Sequence, residues 1–353
     1  MNKKLLRNDM PFKIVALIVM ITVFLLFSKE TTKGALEGLL FCGNVLIPSL
    51  FPFMVISTFV VKSGISDYLE RFAKYITLPL FGVSGKCGMT VLLSMIGGYP
   101  VGAKGIYALY ESKQIDIDTA KKLAYFSVGA GPGFLITFVG TNLLGCPSVG
   151  VCILCSQILS VIILGFVNKY IFRNIKENNS NLELNSKKIS FAQAVVDSTV
   201  SGIYSMINMC GMVILFSAIL GVIGYLLKDY GNMFLYSEIL LEVTNASTDT
   251  AENGNILLLA FATGFGGVCV HFQVFQALGE IEINKGIFFL YRIIQGLITC
   301  GFTYLFIKCF NVALPVYSSI KNSNFELSTT IAGSVMLIIC GLCFLNTFKK
   351  YNH

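Results

Sequence analysis

The sequence predicts an all-α, polytopic membrane protein of two repeated halves, with broken or re-entrant helices and about eight membrane elements. Three observations carry this expectation. Of 353 residues, 55 % are hydrophobic and 13 % charged, with a mean hydropathy of +0.74, far more apolar than a soluble domain of this length. Apolar runs recur from end to end, several interrupted by glycine and proline. Two of those interruptions, at Gly97–Lys104 and Gly266–Gln273, align with one another.

Lys3, Lys4, Arg7 and Lys13 lead into an apolar run from Ile14 to Phe27 with no clean cleavage site after it. That is the pattern of an uncleaved first transmembrane helix with a cytoplasmic N-terminus. Lys29 to Lys33 separates it from a run over Ala35–Val61, which Pro48 and Pro52 should split into two pieces. Asp67–Thr77 places charges on one face and aromatic and aliphatic side chains on the other, an interfacial-helix pattern. Cys87–Ile96 supplies about ten residues where a span needs roughly twenty. The break Gly97-Gly-Tyr-Pro-Val-Gly-Ala-Lys104 follows, and helix resumes over Ile106–Glu111, so the unit reads as a re-entrant hairpin or a discontinuous helix. Asp116–Ala130 opens with acidic residues suited to a helix N-terminus and ends in a second break, Gly129-Ala-Gly-Pro-Gly133. Gly133–Leu144 and Pro147–Phe172 are apolar again, the latter long enough to span. Residues 173–188 form the one long polar stretch, a linker between halves.

The second half opens with Phe191–Leu227, which carries Gly202, Gly211, Gly221 and Gly224. A polar patch over 238–255 holds Glu238, Glu242, Thr244, Asn245, Thr248, Asp249 and Thr250. Leu257–Leu278 follows, broken at Gly264-Phe-Gly-Gly267, and Gly286–Phe310 and Ser328–Phe348 complete the chain as two further spans. The resulting division is an N-terminal helix and flank over 1–33, a first repeat over 34–172, the linker over 173–189, a second repeat over 190–310 and a C-terminal helix over 311–353.

The net charge of +7 is spread over termini and connections, which fits a positive-inside bias and no nucleic-acid partner. Nearly all of the 11 cysteines lie in apolar runs, where a thiol behaves as a small hydrophobe. The pairs Cys152/Cys155 and Cys340/Cys343 have no polar groups beside them, so neither a metal nor a cofactor is expected. Nucleotide-binding and hydrolytic motifs are absent, so the chain reads as a non-enzyme with no catalytic residues.

Laying Gly97 on Gly266 brings identity at Gly98 and Gly267, Val101 and Val270, Ala108 and Ala277, Leu109 and Leu278, and Glu111 and Glu280. After a three-residue gap Tyr125 falls on Tyr291. Paired broken elements in an internal duplication point to a binding site at the repeat interface. In the first copy Gly97, Gly98, Tyr99, Pro100, Gly102 and Lys104, with Gly131 of the next break, would offer exposed backbone amides and one ammonium to an anion such as a carboxylate. The alternative is a snorkelling lysine beside glycines that only permit close packing. In the second copy Gly266, Gly267, His271 and Gln273 would close the other side, His271 as a hydrogen-bond donor to the substrate or as a packing residue. Glu238 and Glu242, four apart, should share one helix face, and Glu242 with Thr244 and Asn245 is a candidate proton or cation site, with solvated structural carboxylates at the membrane edge as the alternative. Arg292 lies within a span and needs a partner, for which Glu242 or Glu280 is expected.

Pro48-Ser-Leu-Phe-Pro-Phe53, Gly98-Tyr-Pro-Val-Gly-Ala-Lys104, Gly129-Ala-Gly-Pro-Gly-Phe134, Leu241-Glu-Val-Thr-Asn245 and Gly266-Gly-Val-Cys-Val-His-Phe-Gln273 together resemble the sporulation integral membrane protein YlbJ family. That family lies within the wider group of "nucleoside recognition" gate-domain membrane proteins, and the likeness covers about residues 34 to 310. The resemblance implies an endospore-forming bacterium and a role in spore formation, where a member is associated with moving dipicolinic acid across the outer forespore membrane. It also implies kinship with nucleoside carriers and with the membrane part of ferrous iron transporters. The expected function is a secondary transporter or channel for a small, dipicolinate-like organic anion, in the bacterial cytoplasmic membrane or the outer forespore membrane. A nucleoside-type permease and a non-transporting scaffold for spore assembly are the alternatives. The expected partners are the organic anion and the lipid bilayer, with homo-oligomerisation left open.

Overall fold

The computed structural model describes residues 10–172 and 190–312, and all regular structure within them is helical. The linker 173–188, the expected span Ser328–Phe348 and the Cys340/Cys343 pair lie outside the described residues. Among the described residues, five helices are long and apolar enough to cross a membrane, six if one bent pair counts as a single span, and two shorter apolar helices accompany them.

Helix α1 (Met10–Leu26) runs into α2 (Ser28–Phe41) through Phe27. Contrary to expectation, Pro48 and Pro52 do not divide the next run. Helix α2 passes through a π-helical turn, Cys42–Leu46, into α3 (Ile47–Lys62), and Ser28–Lys62 is one continuous span of 35 residues. The wide turn just ahead of Pro48 makes room for its ring, and the Ile47 N–H reaches back to the Cys42 carbonyl. The Ser49 hydroxyl donates to the Val45 carbonyl at 2.7 Å, so a carbonyl at the widened turn is satisfied inside the helix.

Helix α4 (Ile65–Phe81) is longer than the interfacial segment expected over 67–77, and it forms one arm of a pair with α5 (Gly85–Gly97), bent by 89°. Its outward face carries Tyr68, Phe72 and Tyr75, all strongly exposed. Next come α6 (Tyr99–Glu111), α7 (Ile117–Phe126), a second π-helical segment (Gly133–Leu143) and α8 (Pro147–Ile171). Asp116 caps α7 as its acidic start implies, its Oδ1 accepting the Thr119 N–H at 2.8 Å. In the second half, α9 (Phe191–Leu227) is followed by α10 (Met233–Leu241), α11 (Val243–Glu252), α12 (Ile256–Phe265), α13 (Gly267–Ala277) and α14 (Lys285–Cys309).

One hydrophobic core runs from Cys42 in the first half to Tyr291 in the second, so neither half is packed by itself. Helices α2 and α9 approach through small residues: a Cβ on Gly38 would lie 3.0 Å from the Ser217 hydroxyl, and one on Gly221 would lie 2.5 Å from the Glu30 carbonyl. Side chains of the two halves interlock at α7 and α14. Tyr125 and Tyr291, the aligned pair, have ring centroids 5.4 Å apart, and the Asn284 N–H donates to the Tyr125 hydroxyl at 3.1 Å.

Candidate functional site

Each half breaks where the glycines predict. Gly98, φ +83°, separates α5 from α6, and Gly266, φ +86°, separates α12 from α13, a left-handed region that side chains with a Cβ resist. Neither of these two glycines, however, offers a free amide, the Gly266 N–H being bonded to the Ala262 carbonyl at 2.8 Å. The Gly98 N–H is bonded to the Ser94 carbonyl at 2.9 Å, and Gly97 and Gly102 are buried against Ser57 and Ser94, where a Cβ would approach to 2.5 Å. Close packing accounts for Gly97 and Gly102, and the Gly98 amide is taken up by the last turn of α5, so these three glycines do not form the expected amide-lined anion cradle.

Three groups of residues form around these breaks. The first is a cavity of about 390 Å³ whose lining includes Pro100, Lys104, Tyr107, Ser205, Asn208, Gln273 and Gln276. The Lys104 ammonium donates to the Ser205 hydroxyl across from α6 to α9. The offset that pairs Gly97 with Gly266 also pairs Lys104 with Gln273 and Tyr107 with Gln276, and all four line this one cavity. Among the described residues that line it, none is a carboxylate. A neighbouring open cavity of about 570 Å³ also includes Tyr107, here with Glu111, Lys113, Asp116 and Glu280.

The second group is a buried polar crossing of the two halves. The Tyr99 hydroxyl donates to the Thr263 carbonyl, which also accepts the Gln157 Nε2 at 2.8 Å. Gln157 Oε1 in turn accepts the Ala130 N–H at 2.9 Å, within the break that contains Gly131. These bonds satisfy groups that the broken helices leave open. Arg292 belongs here too, without the acidic partner expected of it. Its guanidinium donates to the Val128 carbonyl and, at 3.1 Å, to the Tyr125 carbonyl, and stacks over Phe288 at 5.3 Å. A cation at the carbonyl end of α7 answers the helix dipole as well as the open carbonyls, so no carboxylate is needed.

The third group surrounds Glu242, which is 1 % exposed. Glu242 and Glu238 do not share a helix face. Helix α10 ends at Leu241, and Glu242, with extended backbone, caps α11. Its Oε2 accepts the Thr244 and Asn245 N–H groups, each at 2.9 Å, and the Thr244 hydroxyl. Asn245 reaches Ser217 of α9 at 3.4 Å. Gly267 packs on this corner, where a Cβ would lie 3.1 Å from the Glu242 nitrogen.

The residues expected to bind substrate are thus divided. Pro100, Lys104 and Gln273 face the cavity; Gly98, Tyr99, Gly131 and Gly266 build the crossing; Glu242, Thr244, Asn245 and Gly267 form the buried carboxylate corner. His271 joins none of them. It is held in an aromatic cage, with ring centroids of Phe265, Phe288 and Phe289 at 5.1, 5.2 and 5.7 Å. Tyr107, Ser205, Asn208 and Gln276 were missed by sequence reasoning. The repeat offset would have found Tyr107 and Gln276, and polar residues within the otherwise apolar α9 run mark Ser205 and Asn208.

No family model matches the chain, and no solved structure matches it. The chain is similar to the sporulation integral membrane protein YlbJ of Bacillus subtilis (strain 168), 24 % identical over 387 aligned residues that cover 94 % of this chain and 94 % of that protein. With its several helices able to span a bilayer, the chain is an integral membrane protein and a homologue of the sporulation protein YlbJ.

Proposed function

We propose that the chain is a secondary transporter or channel for a small, dipicolinate-like organic anion, acting in sporulation. The observation that carries this reading is the cavity in which Lys104 faces Gln273, its repeat counterpart, with Ser205, Asn208 and Gln276 alongside. Its volume of about 390 Å³ falls within the usual range for small-molecule sites. One ammonium and several amides, with no carboxylate in the lining, suit a planar dianion, since a buried anion needs charge-assisted donors in place of water. We take the two halves, 34–172 and 190–310, as products of a duplication, which accounts for the placement of both break motifs at one site.

A nucleoside-type permease is the second reading. It is favoured by the amides of Asn208, Gln273 and Gln276 beside the Tyr107 ring, groups that can pair with and stack on a base. Uptake of labelled dipicolinate into proteoliposomes tests the first reading. Lys104→Ala should abolish it, and unchanged uptake would refute the assigned role. Thermal stabilisation by nucleosides and none by dipicolinate would move the assignment to the second.

A further inference from the structure

Helices α8 and α14, each long and apolar enough to span a membrane, face one another across a line of polar side chains. On α14 the buried positions include Arg292, Gln295, Thr299 and Thr303, a spacing of three and four that marks one helix face. That face extends over roughly 16 Å of the helix. On α8 the buried polar side chains are Ser156, Gln157, Ser160 and Asn168. Two direct bonds join the helices: the Tyr291 hydroxyl donates to Asn168 Oδ1 at 2.8 Å, and the Thr299 hydroxyl to Ser160 Oγ at 3.4 Å. Gln295 stands between them on α14, fully buried, and neither its Nε2 nor its Oε1 has a partner among the described residues. Arg292 Nε, one turn away, is open in the same way.

The backbone of Gly129 shows what this amide faces. A Cβ on Gly129 would lie 3.4 Å from Gln295 Nε2 and 3.1 Å from Gln157 Oε1, with the next side-chain atom, a Val161 methyl, at 4.0 Å. Carboxamides from the two halves therefore flank one point without bonding each other. Gln157 is fixed in orientation, because its Oε1 accepts the Ala130 N–H and its Nε2 donates to the Thr263 carbonyl. That Oε1 keeps a second lone pair, so a ligand beside it must donate, whereas a ligand beside Gln295 Nε2 must accept. A bare anion is excluded because Oε1 repels it. A metal cation is excluded by the donor amide and by the charge of Arg292. A small molecule that both donates and accepts satisfies both groups. Turning the Gln295 amide end for end leaves this unchanged, since such a molecule can donate to two oxygens. A buried carboxamide without bonds costs more than a hydrocarbon of the same shape, so bonds to such a ligand are what make Gln295 tolerable inside a span.

We propose that Gln157 and Gln295 bind a buried water at the Gly129 break, bridging the first half to the second, and that Gln295 Oε1 and Arg292 Nε belong to the same hydrated site. The two halves are then joined in two different ways. Between α2 and α9 the contact is packing of small residues around Gly38 and Gly221, and between α8 and α14 it is water-mediated hydrogen bonding. None of these four residues of the water site lines the Lys104 cavity, and the site does not depend on the transport reading.

Solid-state NMR of the full chain in lipid bilayers, with glutamine side-chain nitrogens labelled, tests the site through transfer of magnetisation from water to the amide protons. The Gln295 amide is the signal lost in Gln295→Met, or in Gln295→Asn if the Met variant does not fold. In the wild type it should receive magnetisation from water at short mixing times although it is fully buried. Gln193, exposed on α9, is the positive control in every sample. Gly129→Ala sets a methyl at the bridging point, at a glycine outside the left-handed region, and should keep the Gln295 signal while cutting its transfer from water several-fold. Gln157→Leu removes the other partner and should do the same if Gly129→Ala does not fold. A wild-type Gln295 amide that receives nothing from water, or transfer undiminished in these variants, overturns the proposal.

Discussion

The backbones of Gly98 and Gly131 touch: a Cβ on Gly131 would lie 3.0 Å from the Gly98 nitrogen and 3.3 Å from its Cα. The break between α5 and α6 is thereby set directly on the break that follows α7. Gly131→Ala should destabilise the protein by about 1–3 kcal/mol through overpacking against backbone that cannot move aside. Gly98→Ala adds the strain of a left-handed residue, roughly 1–2 kcal/mol. Gly211→Ala is the control, for nothing lies within 4 Å of the added carbon and Gly211 is inside α9. It should be neutral or stabilising by up to about 1 kcal/mol. Thermal unfolding of the three purified variants in detergent checks the order.

Arg292 joins the two halves through carbonyls alone. Arg292→Met leaves the buried Val128 and Tyr125 carbonyls without this donor and should cost about 1–3 kcal/mol for each. Arg292→Lys keeps the charge but lacks the fork that reaches both, and should fall between. Midpoints of thermal unfolding that rank wild type, Lys, Met in descending order support the assignment; equal midpoints contradict it.

Tyr99 and Gln157 share one acceptor, the Thr263 carbonyl. Tyr99→Phe should therefore cost only about 0.5–1.5 kcal/mol, since the carbonyl stays bonded to Gln157. Gln157→Leu loses two bonds, one of them to the Ala130 N–H, and should cost more. The double variant should depart from additivity in a double-mutant cycle, because removing both leaves the carbonyl without either donor.

Tyr107 lines both the Lys104 cavity and the open cavity that includes Glu111, Asp116 and Glu280. Its ring packs on Gly279, where a Cβ would lie 2.6 Å from it. Tyr107→Ala should join the two spaces and let a dye too large for the intact cavity leak from proteoliposomes. Retained dye would show that the ring is not the partition.

Much of this architecture is determined by local sequence. Apolar runs fix the spans, glycines that can take positive φ fix the breaks at Gly98 and Gly266, and Asp116 announces the start of α7. The offset that aligns the two Gly-Gly motifs also sets Lys104 opposite Gln273, and both line one cavity. Other features have no local signature. A proline looks the same whether or not a π turn ahead of it absorbs the ring, and Glu238 and Glu242 are four apart whether or not the helix ends between them. His271 gives no sign in sequence of the phenylalanines from α12 and α14 that enclose it. Tertiary structure alone decided that the Arg292 guanidinium meets the Val128 and Tyr125 carbonyls and that Lys104 meets Ser205. Helices and their breaks follow from bonds within a few residues, whereas the partner of a buried polar group is chosen by whichever distant open donor or acceptor packing brings to it.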